Sequence, residues 1–153
     1  MRLYRLSLKM QAKNTPAPTF LDQPMPHPFP GHQRTILVVD DERPILSLLS
    51  EYLASKGFQV LTARDGQAGL EVARSARPDL VVLDVMLPRL DGYAVARALK
   101  GDLATAAIPI IIFSTRSSAA DQAAFKAAGA EVHVLKPFDP EQLLAKILEL
   151  LPA

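Results

Sequence analysis

The sequence predicts a doubly wound α/β domain, a five-stranded parallel sheet with helices on both faces. Three observations lead there. From Thr35 onward short runs of β-branched or otherwise apolar residues recur, as strands buried on both faces read. Amphipathic segments with helix boundaries separate these runs, so strand and helix alternate five times. Right-handed crossovers between parallel strands then place helices on both sides of the sheet. Finally, the polar residues gather where the strands end.

The elements follow in order. Residues 36–39 form the first strand. Pro44 suits the first turn of the helix after it, in which Ile45, Leu48, Leu49 and Tyr52 make one apolar stripe, and Gly57 can end that helix. Residues 58–62 alternate apolar and polar, which suits an edge strand. Alanine-rich helices are expected over roughly 66–76, 93–100 and 118–128, the last closed by Gly129. Residues 80–83, 110–113 and 132–135 supply the other strands. The final helix runs from about Pro140, with Leu144, Ile147, Leu148 and Leu151 on one face.

The bulk numbers agree with one domain. The chain has 153 residues, 49% hydrophobic and 22% charged, enough for a substantial core. No stretch approaches the ~18 uninterrupted apolar residues of a membrane-spanning helix. With no cysteine, disulfide and thiol chemistry are excluded, which is compatible with, but does not prove, the cytoplasmic location expected. The net charge of +1 hides an asymmetry: up to Arg34 five basic residues face the single acid Asp22, leaving twelve basic and fifteen acidic residues after it. So mildly acidic a body offers no broad basic face, and no direct nucleic-acid contact is expected. Residues 1–33 read as a separate, disordered proline-rich tail, because six of the thirteen prolines fall between Pro16 and Pro30. A start of translation at Met10 or Met25 is the alternative. The folded domain is expected over 34–153.

In doubly wound sheets function gathers at the carboxyl ends of the strands. Here the first strand ends in Asp40-Asp41-Glu42, the third in Asp84, the fourth in Ser114-Thr115 and the fifth in Lys136-Pro137. Singly, each has an ordinary explanation: an aspartate capping a helix, a loop serine, a solvated lysine. Together they are harder to dismiss. With the third strand beside the first, Asp84 comes within one strand spacing, ~5 Å, of the aspartate pair. Three carboxylates so close repel unless protonated or bound to a cation. Hard oxygen donors with room for water suit Mg²⁺. Lys136 adds a cation and Ser114 a hydroxyl for phosphoryl oxygens, so the set suggests phosphate transfer onto an aspartate.

Several separated motifs resemble those of response-regulator receiver domains. Residues 36–42, ILVVDDE, resemble the opening strand and acidic pair. Residues 84–92, DVMLPRLDG, resemble the phosphoacceptor loop. Residues 109–114, PIIIFS, match the fourth strand with its Ser/Thr switch, and Gly129-Ala130-Glu131 with Leu135-Lys136-Pro137-Phe138 matches the ending. The resemblance covers about 35–151 without detectable insertions. It implies a flavodoxin-like sheet in order 2-1-3-4-5 with five helices, and phosphoryl transfer to Asp84 from a sensor histidine kinase or phosphotransfer protein, with Mg²⁺. Asp41 and Asp84 would bind the metal directly, Asp40 through water, and the backbone carbonyl of Met86 would complete the protein ligands. Ser114 and Lys136 would hold phosphoryl oxygens, and the Lys136–Pro137 bond would be cis.

Two positions depart from that pattern. His133 stands where tyrosine or phenylalanine is common, which would either make the switch sensitive to pH or leave an ordinary, partly exposed histidine. Thr115 stands where alanine or glycine is usual, and would narrow access to the phosphoryl group. With the last helix running to the end of the given sequence, a stand-alone regulator is expected, not an enzyme beyond self-phosphorylation and slow autodephosphorylation, acting by binding an unknown downstream protein or relaying phosphate. Its output face would be the fourth helix, fifth strand and fifth helix, with Phe125, Lys126, His133 and Lys146, where a homodimer could also form. Two rivals are weaker. A haloacid-dehalogenase-type phosphatase needs a second aspartate two residues after its nucleophile, where this chain has Met86. The other is a phosphate-independent binding module, or a piece of a larger regulator; the complete set Asp40, Asp41, Asp84, Ser114 and Lys136 argues against lost chemistry.

Overall fold

The computed structural model describes residues 33–151. The expected proline-rich tail and the choice of start site therefore lie, Gln33 apart, outside the described residues. The order is β1 (Thr35–Val39), α1 (Arg43–Ser55), β2 (Gln59–Ala63), α2 (Gly66–Ala76), β3 (Leu80–Asp84), α3 (Gly92–Lys100), β4 (Ile110–Ser114), α4 (Ala119–Ala128), β5 (Val132–Leu135) and α5 (Pro140–Leu150). The five strands form one sheet in the order β2-β1-β3-β4-β5, every pairing parallel. This is the flavodoxin-like topology expected.

The continuous hydrophobic runs are divided by the two-residue period of a strand. Leu37, Val39, Val81, Leu83, Ile110 and Ile112 face a core built with Leu70 and Ala73 of α2, Val95, Ala96 and Leu99 of α3 and Ala128 of α4. Ile36, Val38, Leu80, Val82, Ile111 and Phe113 face the opposite core, with Leu46, Leu49 and Leu53 of α1 and Leu143 and Ile147 of α5. β3 and β4 are buried at every position, whereas the edge strand β2 exposes Gln59 and Thr62.

Four helices carry side-chain caps. Asp65 accepts from the Ala68 amide at 2.7 Å, Asp91 from Ala94 at 3.0 Å and Asp139 from Glu141 at 2.9 Å, while Ser118 and Asp121 form a capping box on α4. α1 starts at Glu42 with no side-chain cap, so neither Asp40 nor Asp41 is used that way. Gly57 and Gly129 follow α1 and α4 at φ +98° and +81°, the left-handed region that favours glycine.

Two helix faces differ from the sequence expectation. In α1 the buried line is Leu46, Leu49 and Leu53; Ile45 and Tyr52 flank it, and Leu48 is 49% exposed. Leu and Ile wrap more than half of this helix, and Leu48 lies about 200° around from Leu46. In α5 Leu143 and Ile147 are buried, Leu144 is half-buried, Leu148 points outward, and Leu151 is already the residue that ends the helix. Both amphipathic faces exist, but their phase is set by contact with the sheet.

Candidate functional site

The register puts the acidic residues together. β1 and β3 are neighbours with Val39 opposite Leu83, so the chain leaves the sheet at Asp40 and at Asp84 side by side. One carboxylate oxygen from each of Asp40, Asp41 and Asp84 lies within 4.8 Å of the others. Asp40 is fully buried and Asp84 is 5% exposed. Lys136, delivered from the end of β5, places its Nζ 2.9 Å from Asp40 Oδ2 and 3.5 Å from Asp84 Oδ2. The same ammonium stands over the Phe113 ring, 4.6 Å from its centroid.

Local backbone fixes these groups. Asp40 Oδ1 accepts from the Glu42 amide at 2.8 Å, and Asp84 Oδ1 from the Val85 amide at 2.8 Å. The loop after Asp84 is strapped down: Gly92 donates to the Val85 carbonyl at 2.9 Å and Gly66 to the Pro88 carbonyl at 3.1 Å. Only glycine fits at either donor. A Cβ on Gly92 would lie 2.1 Å from the Asp84 carbonyl oxygen, and one on Gly66 1.7 Å from that of Leu90. The Lys136–Pro137 peptide bond is cis.

The electrostatics are unbalanced. Three carboxylates face one ammonium. Burial pushes the Asp84 carboxyl above its usual range, Lys136 pulls it back and Asp40 pushes it up again. Lys136 is pulled down by burial, yet its hydrogen bond to Asp40 and the charges of Asp84 and Asp40 hold it above the usual ammonium value. The open cleft over these groups, about 380 Å³, is lined by Asp41, Glu42, Asp84, Met86, Thr115 and Lys136. An excess of buried negative charge, oxygen donors and adjoining open space fit a hard divalent cation that keeps part of its water.

Thus Asp40, Asp41, Asp84, Met86, Thr115 and Lys136 are all brought together. Ser114 is close in the chain but differently disposed. It is fully buried, and its Oγ accepts from the Arg116 amide at 2.9 Å and contacts the Arg116 carbonyl at 3.3 Å, instead of lining the cleft. His133 is half-buried at the other end of β5, its ring stacked on Phe125 at 5.6 Å, with Nε2 buried and without a partner. Lys126 is exposed on α4, and Lys146 lines an open groove with His133, Leu135 and Pro137. Sequence reasoning missed Phe113 beneath Lys136. It also missed a group beside the cleft, namely Arg116, Tyr93 and Asp121. The Ser118-to-Asp121 spacing was a readable capping signal; the contacts to Arg116 and Tyr93 are tertiary.

The profile of the response regulator receiver domain family matches residues 36–148. The chain belongs to that family. It is therefore a receiver domain of the kind used in two-component signalling. Among curated relatives it is 44% identical over 118 residues to the response regulator MprA of Mycolicibacterium vanbaalenii, covering 76% of this chain and 49% of that one. It is 42% identical over 120 residues to a probable transcriptional regulator, ycf27, of Cyanophora paradoxa, covering 78% and 49%. The chain spans about half the length of the curated relatives it matches. Among solved structures, the Vibrio cholerae chemotaxis protein CheY4 superposes on this receiver domain with a TM-score of 0.73 at 32% identity, covering 77% of this chain and 98% of that one. The receiver domain of a sensor histidine kinase from Pseudomonas aeruginosa PAO1, which has a magnesium ion coordinated in its active-site cleft, gives 0.73 at 26% identity, covering 79% and 99%. Among the described residues no helix is long and apolar enough to cross a membrane.

Proposed function

We propose that this receiver domain accepts a phosphoryl group on Asp84 from a phosphohistidine of a sensor histidine kinase or phosphotransfer protein. It then signals through phosphorylation-dependent binding of a downstream protein or by passing the phosphate on. The observation that carries this is the juxtaposition of Asp84 with Asp40, Asp41 and Lys136 at the carboxyl edge of the sheet. Mg²⁺ would fit the carboxylate trio: Asp41, Asp84 and the Met86 carbonyl would hold it directly and Asp40 through water. When bound, it supplies positive charge for the phosphoryl oxygens.

The residues divide the work. Asp84 attacks the phosphorus while the P–N bond to the donor imidazole breaks, and its burial keeps the nucleophile poorly hydrated. Lys136, already between Asp40 and Asp84, needs little movement to pair with a new oxygen on Asp84. Ser114 would leave the Arg116 backbone to donate to another oxygen. Thr115, on the rim, restricts access to water and donors. The protein turns over no separate substrate, so its chemistry is self-phosphorylation and slow hydrolysis. A cytoplasmic site of action is part of the same proposal.

The test is intact-protein mass after incubation with Mg²⁺ and acetyl phosphate. One phosphoryl addition that is absent in Asp84→Ala is expected. No addition to the native chain, from acetyl phosphate or from a phosphorylated histidine kinase, would favour a phosphate-independent binding module.

A further inference from the structure

Lys136 reaches the carboxylates across a neighbouring strand. β4 lies between β5 and β3 in the sheet, so the lysine stem has to cross β4 to bring its ammonium to Asp84 and Asp40. It crosses at Phe113. That residue stands opposite Asp84 in the register of β3 and β4. Ile111 and Phe113 share one side of the sheet with Val132 and Val134 of β5. The Lys136 amide still donates to the Ser114 carbonyl at 2.9 Å, so the ladder continues to Lys136 and its side chain falls on that same side. The ammonium comes to rest 4.6 Å from the centroid of the Phe113 ring.

The ammonium therefore has two kinds of partner. Asp40 Oδ2 at 2.9 Å and Asp84 Oδ2 at 3.5 Å are anionic, and the Phe113 face is not. The ring is fully buried, and Phe138 packs against it at 85° with centroids 5.6 Å apart, which fixes the direction its face points. With the lysine side chain only 12% exposed, the contact is largely desolvated, the setting in which a cation over a ring is held most strongly. The two anionic partners also belong to the trio that fits a divalent cation. A carboxylate shared with a dication attracts the ammonium far less, and the open cleft of about 380 Å³ offers a flexible lysine a way out to water. The ring binds no metal and keeps its hold.

We propose that Phe113 is a positioning residue for the phosphoryl chemistry: its face keeps the Lys136 ammonium over the cleft while the carboxylates serve a divalent cation, so that the ammonium is in place when phosphoryl oxygens arrive. The inference deepens, and rests on, the phosphoacceptor role of Asp84. It also gives the phenylalanine at the end of β4 a task beyond filling the core.

The test uses the full chain and two variants: Phe113→trifluorophenylalanine, which keeps the shape of the ring but removes most of the negative charge on its face, and Phe113→Leu, which removes the ring. The first readout is the upfield shift that the ring current gives the Lys136 ε-methylene protons, followed by NMR as Mg²⁺ is added. The native chain is expected to keep that shift, and the trifluorinated chain to lose it only when Mg²⁺ is present. The second is calorimetric uptake of beryllium fluoride, a non-covalent mimic of the phosphoryl group, in Mg²⁺. Uptake should weaken about fivefold in both variants, the loss of one desolvated contact between a cation and a ring. A ring that only fills the core would leave both readouts native in the trifluorinated chain, which fills it equally. That result, or a native chain in which Mg²⁺ alone abolishes the Lys136 shift, overturns the positioning role and leaves the role of Asp84 untouched. Should the trifluorinated chain not fold, native-strength uptake by Phe113→Leu overturns it equally. No uptake by the native chain would remove the phosphoacceptor reading and this inference with it.

Discussion

Replacing Lys136 with methionine isolates what the ammonium does for the folded state. The side chain keeps its length but loses its charge, leaving Asp40, with none of its side chain exposed, without a cation. Asp84, with its side chain 7% exposed, loses its counter-charge too. Removing one partner of a buried ion pair costs about 3–5 kcal/mol. The cleft is open to water and Lys136 itself is 12% exposed, so the low end applies, about 3 kcal/mol. For a domain of this size that lowers the melting temperature by about 10 °C. Urea unfolding of native protein, Lys136→Met, Asp40→Asn and the double variant measures it. The double variant should lose less than the sum of the singles, because asparagine removes the charge that lysine had to balance. Mg²⁺ should restore more stability to Lys136→Met than to the native chain, since the cation takes over the same carboxylates. A Lys136→Met midpoint equal to the native one, or strictly additive losses, would refute the reasoning.

Gly66→Ala should cost about 2 kcal/mol or more and weaken Mg²⁺ binding, because its Cβ would meet the Leu90 carbonyl oxygen at 1.7 Å and push the loop carrying Met86 outward; urea midpoints and a Mg²⁺ titration check it, and native values for both would contradict it. Asp121 has a folded pKa held below its ordinary value by the Ser118 hydroxyl bond, against the opposing effect of burial, with help from the Ser118 amide and Arg116. Its stabilising contribution is therefore complete above the unfolded value of about 3.8 and is lost as pH falls through the lower folded value, so native protein should lose stability below pH ~4 more steeply than Asp121→Asn; parallel acid limbs in urea midpoints would speak against it. His133→Phe keeps the stack on Phe125 and removes the buried, unpartnered Nε2, so it should raise stability by up to about 1 kcal/mol, and a lower melting temperature would count against that account.

The sheet was legible because residues 36–39, 80–83 and 110–113 are apolar at every position and are followed by polar residues. Residues 80–83 and 110–113 are too short for a buried helix, so a strand buried on both faces is the reading that fits them. The carboxylates and Lys136 were legible for the same reason, since strand ends in parallel order converge whatever the helices do. The phase of α1 was not. With Ile45, Leu46, Leu48, Leu49, Tyr52 and Leu53 all apolar, contact with the sheet alone selects Leu46, Leu49 and Leu53. The direction of the Ser114 hydroxyl was equally out of reach, because it depends on the Arg116 backbone folding back over it. Arg116, Tyr93 and Asp121 come from a loop and two helices, and only α3 packing against α4 joins them.

The claim that Asp84 receives the phosphoryl group is tested most directly by trapping it. After incubation with Mg²⁺ and acetyl phosphate, borohydride reduces an acyl phosphate to an alcohol, converting an aspartyl phosphate into homoserine. Peptide mass spectrometry of the reduced chain is expected to find homoserine at position 84 alone, with Asp40 and Asp41 intact. Homoserine at position 40 or 41, or a phosphorylated chain with position 84 unchanged, would contradict the account.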